Sequence, residues 1–256
     1  MPHVTPRPHP GPLPPDCALF LDVDGALLEF ADAPDGVVVP EGLVARLAAL
    51  AVQRDGALAL VSGRDVATLD KLFAPLALAC AGLHGLQRRH GGGTHAASVV
   101  DTIDAPARMD EVRAAAHEIV AKYPGSLVEE KGPAIAFHWR AEPLAAADFE
   151  GLAAMAAMEL PDYHLQHGNH VVELRPAGAD KGSAIEAFMR EAPFAGRVPV
   201  FAGDDLTDEH GFEVVNRLGG SSVLVGAREP SQARCGLADP AAVRAWLGVA
   251  EPDRAA

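Results

Sequence analysis

Ala18-Leu19-Phe20-Leu21-Asp22-Val23-Asp24-Gly25 is the stretch that decides the fold: an unbroken apolar run that ends in paired acids and a glycine. A short run with no polar face fits a strand buried on both sides of a parallel sheet better than a half-exposed antiparallel strand. Side chains alternate along a strand, so Asp22 and Asp24 face the same way beyond its C-terminal end. In open α/β sheets that end is where ligands bind.

Outward from this point the same grammar repeats. Within residues 40–54, Leu43, Val44, Leu47 and Leu50 fall at helical spacing behind Pro40. Residues 57–61 predict a second buried strand, 65–73 a helix and 76–82 a third strand. Apolar strands alternating with amphipathic helices predict an α/β core, a doubly wound, Rossmann-like parallel sheet covered on both faces. The pattern then changes. A turn is marked by His90-Gly91-Gly92-Gly93, residues 107–122 predict a helix, and 126–140 predict two strands broken at Lys131-Gly132-Pro133. A helix over 143–160 and a strand reaching Leu174 follow, which together predict an inserted α+β cap over 104–175. The first grammar resumes at 176, with a helix after Lys181, a strand over 198–202, a helix after Asp205, a strand over 222–225 and a helix over 241–247. The expected core is therefore discontinuous, 16–103 with 176–256. Residues 1–15, dense in proline, are read as a disordered or polyproline-like tail.

Composition narrows the function classes. The formal net charge of −14 argues against a surface built for nucleic acid or anionic lipid, so neither is an expected partner. It leaves room for a phosphorylated ligand, because a few local cations can reverse the field inside one cleft. Cys17, Cys80 and Cys235 lie far apart with no Cys-x-x-Cys pattern, which reads as reduced thiols. The apolar stretch 74–83 contains Pro75 and falls short of the ~20 residues that span a bilayer. The N-terminus lacks the apolar core of a signal peptide. A cytoplasmic monomer is expected.

The chemistry rests on four segments. In Asp22-Val23-Asp24 one ionised carboxylate can attack phosphorus while the other protonates a leaving oxygen and later activates water. Gly203-Asp204-Asp205-Leu206-Thr207-Asp208-Glu209 places clustered acids between a strand and a helix, a good site for a hard divalent cation. Mg²⁺ keeps several waters and takes only one or two carboxylates, so Asp22 and Asp204 are assigned as direct ligands with the Asp24 carbonyl a third. Asp205 and Asp208 then hold or orient the metal's waters. Asp208 and Glu209 could equally be helix-start acids that complement the dipole, the reading favoured for Glu209. Ser62-Gly63-Arg64 offers a hydroxyl and exposed amides to a phosphate oxygen, with a simple helix cap the alternative. Lys181 stands at a helix start, where the dipole disfavours a cation, and neutralising a phosphoryl group is a reason to keep it there. His84 is a candidate to line the substrate entrance, or else a partly buried structural histidine. His164, His167 and His170 fit neither a helix face at metal-binding spacing nor one strand face. Arg88 and Arg89 read as a solvated basic turn rather than an anion site.

A dianionic ester repels a carboxylate nucleophile, so Mg²⁺ and Lys181 are needed beside Asp22, with Ser62 and backbone amides holding the oxygens. In this order the segments resemble the haloacid dehalogenase superfamily of phosphatases. The resemblance covers nearly the whole of 17–247 and narrows further. Leu21-Asp22-Val23-Asp24-Gly25, Ser62-Gly63-Arg64, Gly82-Leu83-His84-Gly85, Glu129-Glu130-Lys131-Gly132, Phe137-His138-Trp139-Arg140, Val171-Val172-Glu173 and Gly203-Asp204-Asp205 look like the trehalose-6-phosphate phosphatases. That resemblance implies hydrolysis of a sugar phosphate, trehalose 6-phosphate, with Glu129, Lys131 and Glu173 on sugar hydroxyls and Gly63, Arg64 and His84 facing the substrate. The chain departs from the family's pattern at Ala26, Gln87 and Asn169. Competing readings are a phosphatase of another sugar phosphate and a sugar-phosphate-binding regulator without catalysis.

Overall fold

The protein is seen in a computed structural model that describes residues 7–31, 36–90, 100–102 and 105–249. The predicted turn at 91–93 lies outside them. Two compact units result, 1–101 with 180–256, and the continuous segment 102–179.

In chain order the elements are β1 (Ala18–Leu21), α1 (Leu43–Gln53), β2 (Leu58–Val61), α2 (Val66–Leu72), β3 (Ala79–Gly82), β4 (Gln87–Arg89) and β5 (Val100–Thr102). The second unit holds α3 (Arg108–Lys122), β6 (Leu127–Lys131), β7 (Ala134–His138), α4 (Ala146–Glu159), β8 (Tyr163–Gly168) and β9 (Val171–Pro176). The chain then returns through α5 (Lys181–Met189), β10 (Pro199–Gly203), α6 (Glu209–Arg217), β11 (Ser221–Val225), β12 (Cys235–Leu237) and α7 (Pro240–Leu247).

The first unit is a sheet of order β12-β11-β10-β1-β2-β3-β4-β5. From β12 to β3 every pairing is parallel. Alternation along β1 explains the double winding. Leu19 and Leu21 join Leu43, Leu47, Leu69 and Val243 on the face covered by α1, α2 and α7. Phe20 joins Ile185, Phe188, Phe212 and Val215 on the face covered by α5 and α6. The Phe20 ring stacks on Phe194 at 5.3 Å and is fully buried, so Phe20→Ala would cost about 3–5 kcal/mol. Helix starts follow their caps: Asp65 accepts from Thr68 N at 2.8 Å, Asp180 from Ser183 N at 2.7 Å and Asp239 from Ala242 N at 2.8 Å.

Two expectations change here. Arg88 and Arg89 form no solvated turn, because β4 runs antiparallel to β3 with Cys80 opposite Arg89. Arg88 donates to Glu191 at 2.8 Å, while Arg89, nearly buried, reaches Asp70 at 2.6 Å and the Leu78 carbonyl. The tail differs too. Residues 1–6 of the expected tail lie outside the described residues; residues 7–15 carry no helix or strand, yet they are fastened to the core. Trp246 Nε1 donates to Gly11 O at 2.7 Å, Arg54 to Pro14 O at 3.0 Å, and Arg7 to Ala233 O at 2.9 Å. Carbonyls between prolines have no ladder partner of their own, and core side chains supply the donors.

The second unit is an antiparallel sheet of order β6-β7-β9-β8. Ile135, Phe137, Val172 and Leu174 point to the face covered by α3 and α4, where Phe137 stacks on Phe149 at 5.3 Å. The alternate positions, Glu129, Lys131, His138, Glu173 and Arg175, form a polar face. Where one strand was expected after α4 the chain makes a hairpin of β8 and β9. Most residues of β8 are exposed, so no alternation of burial marked it in the sequence.

Candidate active site

The first unit gathers its acids at the C-terminal ends of β1 and β10. Asp22 N donates to Ala202 O at 2.9 Å, which fixes the end of β1 against β10. Lys181, the first residue of α5, sends its ammonium back between two carboxylates, 2.9 Å from Asp22 Oδ1 and 2.7 Å from Asp208 Oδ1. All three side chains are buried. The other oxygen of Asp208 accepts from the amides of Asp204 at 2.8 Å and Asp205 at 3.0 Å. Gly203 makes that approach possible, because a Cβ there would lie 2.3 Å from Asp208 Cγ. Gly25 lets the loop after β1 close over Asp204: its φ is +80° and a Cβ would lie 2.3 Å from Asp204 Oδ2.

Asp22, Asp204 and Asp208 each present an oxygen within 4.8 Å of the others. Asp204 Oδ1 is buried without a hydrogen-bond donor among the described residues. Asp205 stands outside this trio and closes its own turn, accepting from Thr207 N at 2.8 Å and Thr207 Oγ1 at 2.7 Å. Burial pushes the Asp22 carboxyl up to about 7 against the pull of Lys181, with Asp204 and Asp205 adding to the rise. Burial likewise pushes Asp208 up to about 8, helped by Asp22, and Asp204 up to about 6, helped by Asp208. Burial opposes the charge on Lys181, but Asp22 and Asp208 more than offset it and hold the ammonium above its ordinary range. Clustered carboxylates around one ammonium, all hard oxygen donors and one of them orphaned, fit a divalent cation.

Asp24 is held differently. Arg64 grips it with both arms, Nε to Oδ2 at 2.7 Å and Nη2 to Oδ1 at 2.8 Å. Ser62, buried at the end of β2, accepts from Arg64 N at 3.1 Å and keeps its own proton free to donate. His84 sits in left-handed backbone, φ 55°, with its ring 2.8 Å from where a Cβ on Gly63 would lie. Gln87 is engaged in the fold: its Oε1 accepts from Val66 N at 2.9 Å at the start of α2.

In the second unit Lys131 Nζ lies 3.3 Å from both Glu129 Oε2 and Glu173 Oε2. Glu173 faces Ala136 on β7, which faces Glu129 on β6, so the three side chains share one face of the sheet. His138 Nε2 approaches Glu129 Oε2 at 3.1 Å, and that bond, with Lys131, keeps the Glu129 carboxyl below its ordinary range against partial burial. The Arg64 contact joins residues distant in the chain, and no local spacing signals it.

A doubly wound core with an aspartate pair ending β1, a lysine opening α5 and clustered acids after β10 is the core of a haloacid dehalogenase-type phosphatase. The chain belongs to the trehalose-phosphatase family, which it matches over residues 20–241. It is 47% identical to the trehalose-6-phosphate phosphatase of Escherichia coli (strain K12) over 90% of this chain and 85% of that one. It is 45% identical to a probable trehalose-phosphate phosphatase of Sinorhizobium fredii over 86% of this chain and 81% of that one. The fold is shared with the C-terminal domain of a Candida albicans trehalose-6-phosphate phosphatase at a TM-score of 0.69 and 22% identity, covering 91% of each chain.

Proposed function

We propose that the protein is a Mg²⁺-dependent phosphatase that hydrolyses trehalose 6-phosphate to trehalose and phosphate. The observation that carries the chemistry is the buried Lys181 ammonium between Asp22 and Asp208, beside the orphaned oxygen of Asp204. The 47% identity to the Escherichia coli enzyme supports the substrate.

In this reading Asp22 attacks phosphorus in line. The sugar oxygen leaves with a proton from Asp24, and an aspartyl-phosphate forms on Asp22. Asp24 then takes a proton from water, the water attacks the same phosphorus, and inorganic phosphate leaves as the Asp22 carboxylate is restored. Arg64 keeps Asp24 turned toward this task, while Lys181, the Ser62 hydroxyl and the amides at Gly63 bind phosphoryl oxygens. Asp22, Asp204 and the Asp24 carbonyl would hold the metal, with Asp208 and Asp205 ordering its waters. A bound Mg²⁺ supplies positive charge that lets a carboxylate approach a dianion. Glu129, Lys131 and Glu173 bind sugar hydroxyls, which paired charges can discriminate and an apolar pocket cannot. A cytoplasmic, monomeric protein completes the proposal; three cysteines far apart in the chain suit a reducing compartment.

The test is Mg²⁺-dependent phosphate release from a panel of sugar phosphates, run beside Asp22→Asn. Preference for trehalose 6-phosphate, lost with EDTA and in the variant, is the expected result. Preference for another ester would move the substrate and keep the mechanism. Tight sugar-phosphate binding with no release from any ester would replace the enzyme by a regulator.

A further inference from the structure

Arg228 lies between β11 and β12, outside every motif the sequence singles out. Its guanidinium reaches across to the loop that follows β10. Nε donates to Asp204 O at 3.3 Å, Nη2 donates to Asp205 O at 3.0 Å, and Nη2 also pairs with Glu209. The second carboxylate oxygen of Glu209 accepts from Gln232 N at 2.7 Å, so Glu209 ties Arg228 and its own segment to the start of α6. Both side chains are largely withdrawn from water, which strengthens these bonds relative to a surface pair.

The same two residues are held on their other side. Asp208 Oδ2 takes the amides of Asp204 and Asp205, and Arg228 takes their carbonyls. Every backbone polar group of the residues that carry the loop's paired acids is therefore fastened by a charged side chain. A planar fork suits two successive carbonyls; a lysine ammonium offers no such geometry.

We infer that Arg228, backed by Glu209, is a positioning residue for the metal site: it fixes the backbone from which Asp204 Oδ1 is aimed. The inference rests on the reading of Asp22, Asp204 and Asp208 as a divalent-cation site. Without the clip the loop must be ordered when the metal binds, and that cost appears as weaker affinity. Outer partners of this kind typically change metal affinity by about 10–100-fold.

The experiment measures Mn²⁺ binding to the intact protein without substrate, from the loss of the free-ion EPR signal. Native protein and Asp204→Asn establish the site. Arg228→Ala is expected to raise the dissociation constant about tenfold or more, and Arg228→Lys to remain weaker than native. Arg7→Ala is the control. Arg7 binds the same segment, at Glu229, Ser231 and Ala233, but touches neither Asp204 nor Asp205 in any hydrogen bond described, so it is expected to leave Mn²⁺ affinity unchanged. If Arg228→Ala does not fold, Glu209→Gln carries the same expectation. Native affinity in both Arg228→Ala and Glu209→Gln would overturn the inference, as would equal weakening in Arg7→Ala, which would mean general loosening of the segment. A native protein showing no Mn²⁺ binding that Asp204→Asn removes would overturn the metal reading and the inference together.

Discussion

Lys181 and Asp208 meet through a 2.7 Å bond that solvent does not reach, the lysine side chain being 2% exposed and the carboxylate 0%. A buried ion pair costs much desolvation, so its net worth is small while both partners stay, and large when one is removed. Lys181→Met should therefore destabilise the protein by about 3–5 kcal/mol at about pH 9, where both acids are ionised, as read by urea unfolding, and abolish turnover. The loss should shrink as pH falls through about 8 and about 7, where Asp208 and Asp22 take up protons. A variant as stable as the native protein at about pH 9 would show that the ammonium does not hold the acids together.

Asp22, Asp204 and Asp208 are all raised, to about 7, 6 and 8, above an ordinary aspartate at 3.8. Between those values the folded state binds more protons than the unfolded chain, so unfolding free energy falls as pH rises. The metal-free protein should thus lose thermal stability from about pH 4 to about pH 8 through these groups. Saturating Mg²⁺ takes the place of the protons and should flatten the slope. The check is a series of melting curves in EDTA and in Mg²⁺; a metal-free slope of opposite sign would contradict the raised acids.

Gly25→Ala should fail twice, through backbone and through space. Its φ of +80° costs an L residue about 1–2 kcal/mol, and the added methyl would meet Asp204 Oδ2. Gly178→Ala separates the two effects, since Gly178 has φ +76° and open space around its missing Cβ. The expected outcome is similar backbone destabilisation in both variants, with turnover lost only at Gly25. Equal kinetics would mean the nucleophile loop tolerates displacement of Asp204.

On the proposed reading, alanine at Glu129, Lys131 or Glu173 removes a bond to a substrate hydroxyl and leaves the phosphoryl site intact. Each should raise KM for trehalose 6-phosphate more than it lowers kcat, by about 10–200-fold in kcat/KM. Steady-state kinetics on native and variant protein decide this. Wild-type kinetics in all three would remove the second unit from substrate recognition.

The acids and Lys181 were legible because each sits where a local pattern changes, at a strand end or a helix start, and the chemistry of one residue type narrows what it does there. The alternating order of strands and helices was legible for the same reason: burial on both sheet faces writes continuous apolar runs. What escaped lacks a local signature. β12 is three residues long and β8 is mostly exposed, so neither shows a burial period. Arg64 on Asp24 and Arg228 on the carbonyls of Asp204 and Asp205 join residues far apart in the chain. Gln87 departs from the family's pattern, and only the structure places its side chain on the amide that opens α2.

The strand β1, which leads into Asp22, is hydrogen-bonded to β2 on one side and to β10 on the other. During synthesis β2 emerges soon after β1, but β10 begins only at Pro199, after the whole of the continuous 102–179 unit. A nascent chain on the ribosome therefore carries an apolar, unpaired β1 edge for most of its translation, and such edges recruit other chains. The inserted unit has all of its own strands in hand by Pro176 and can close first. A chain stalled before Gly203 would hold a finished four-stranded sheet and a core that still lacks both the partner of β1 and the loop bearing Asp204.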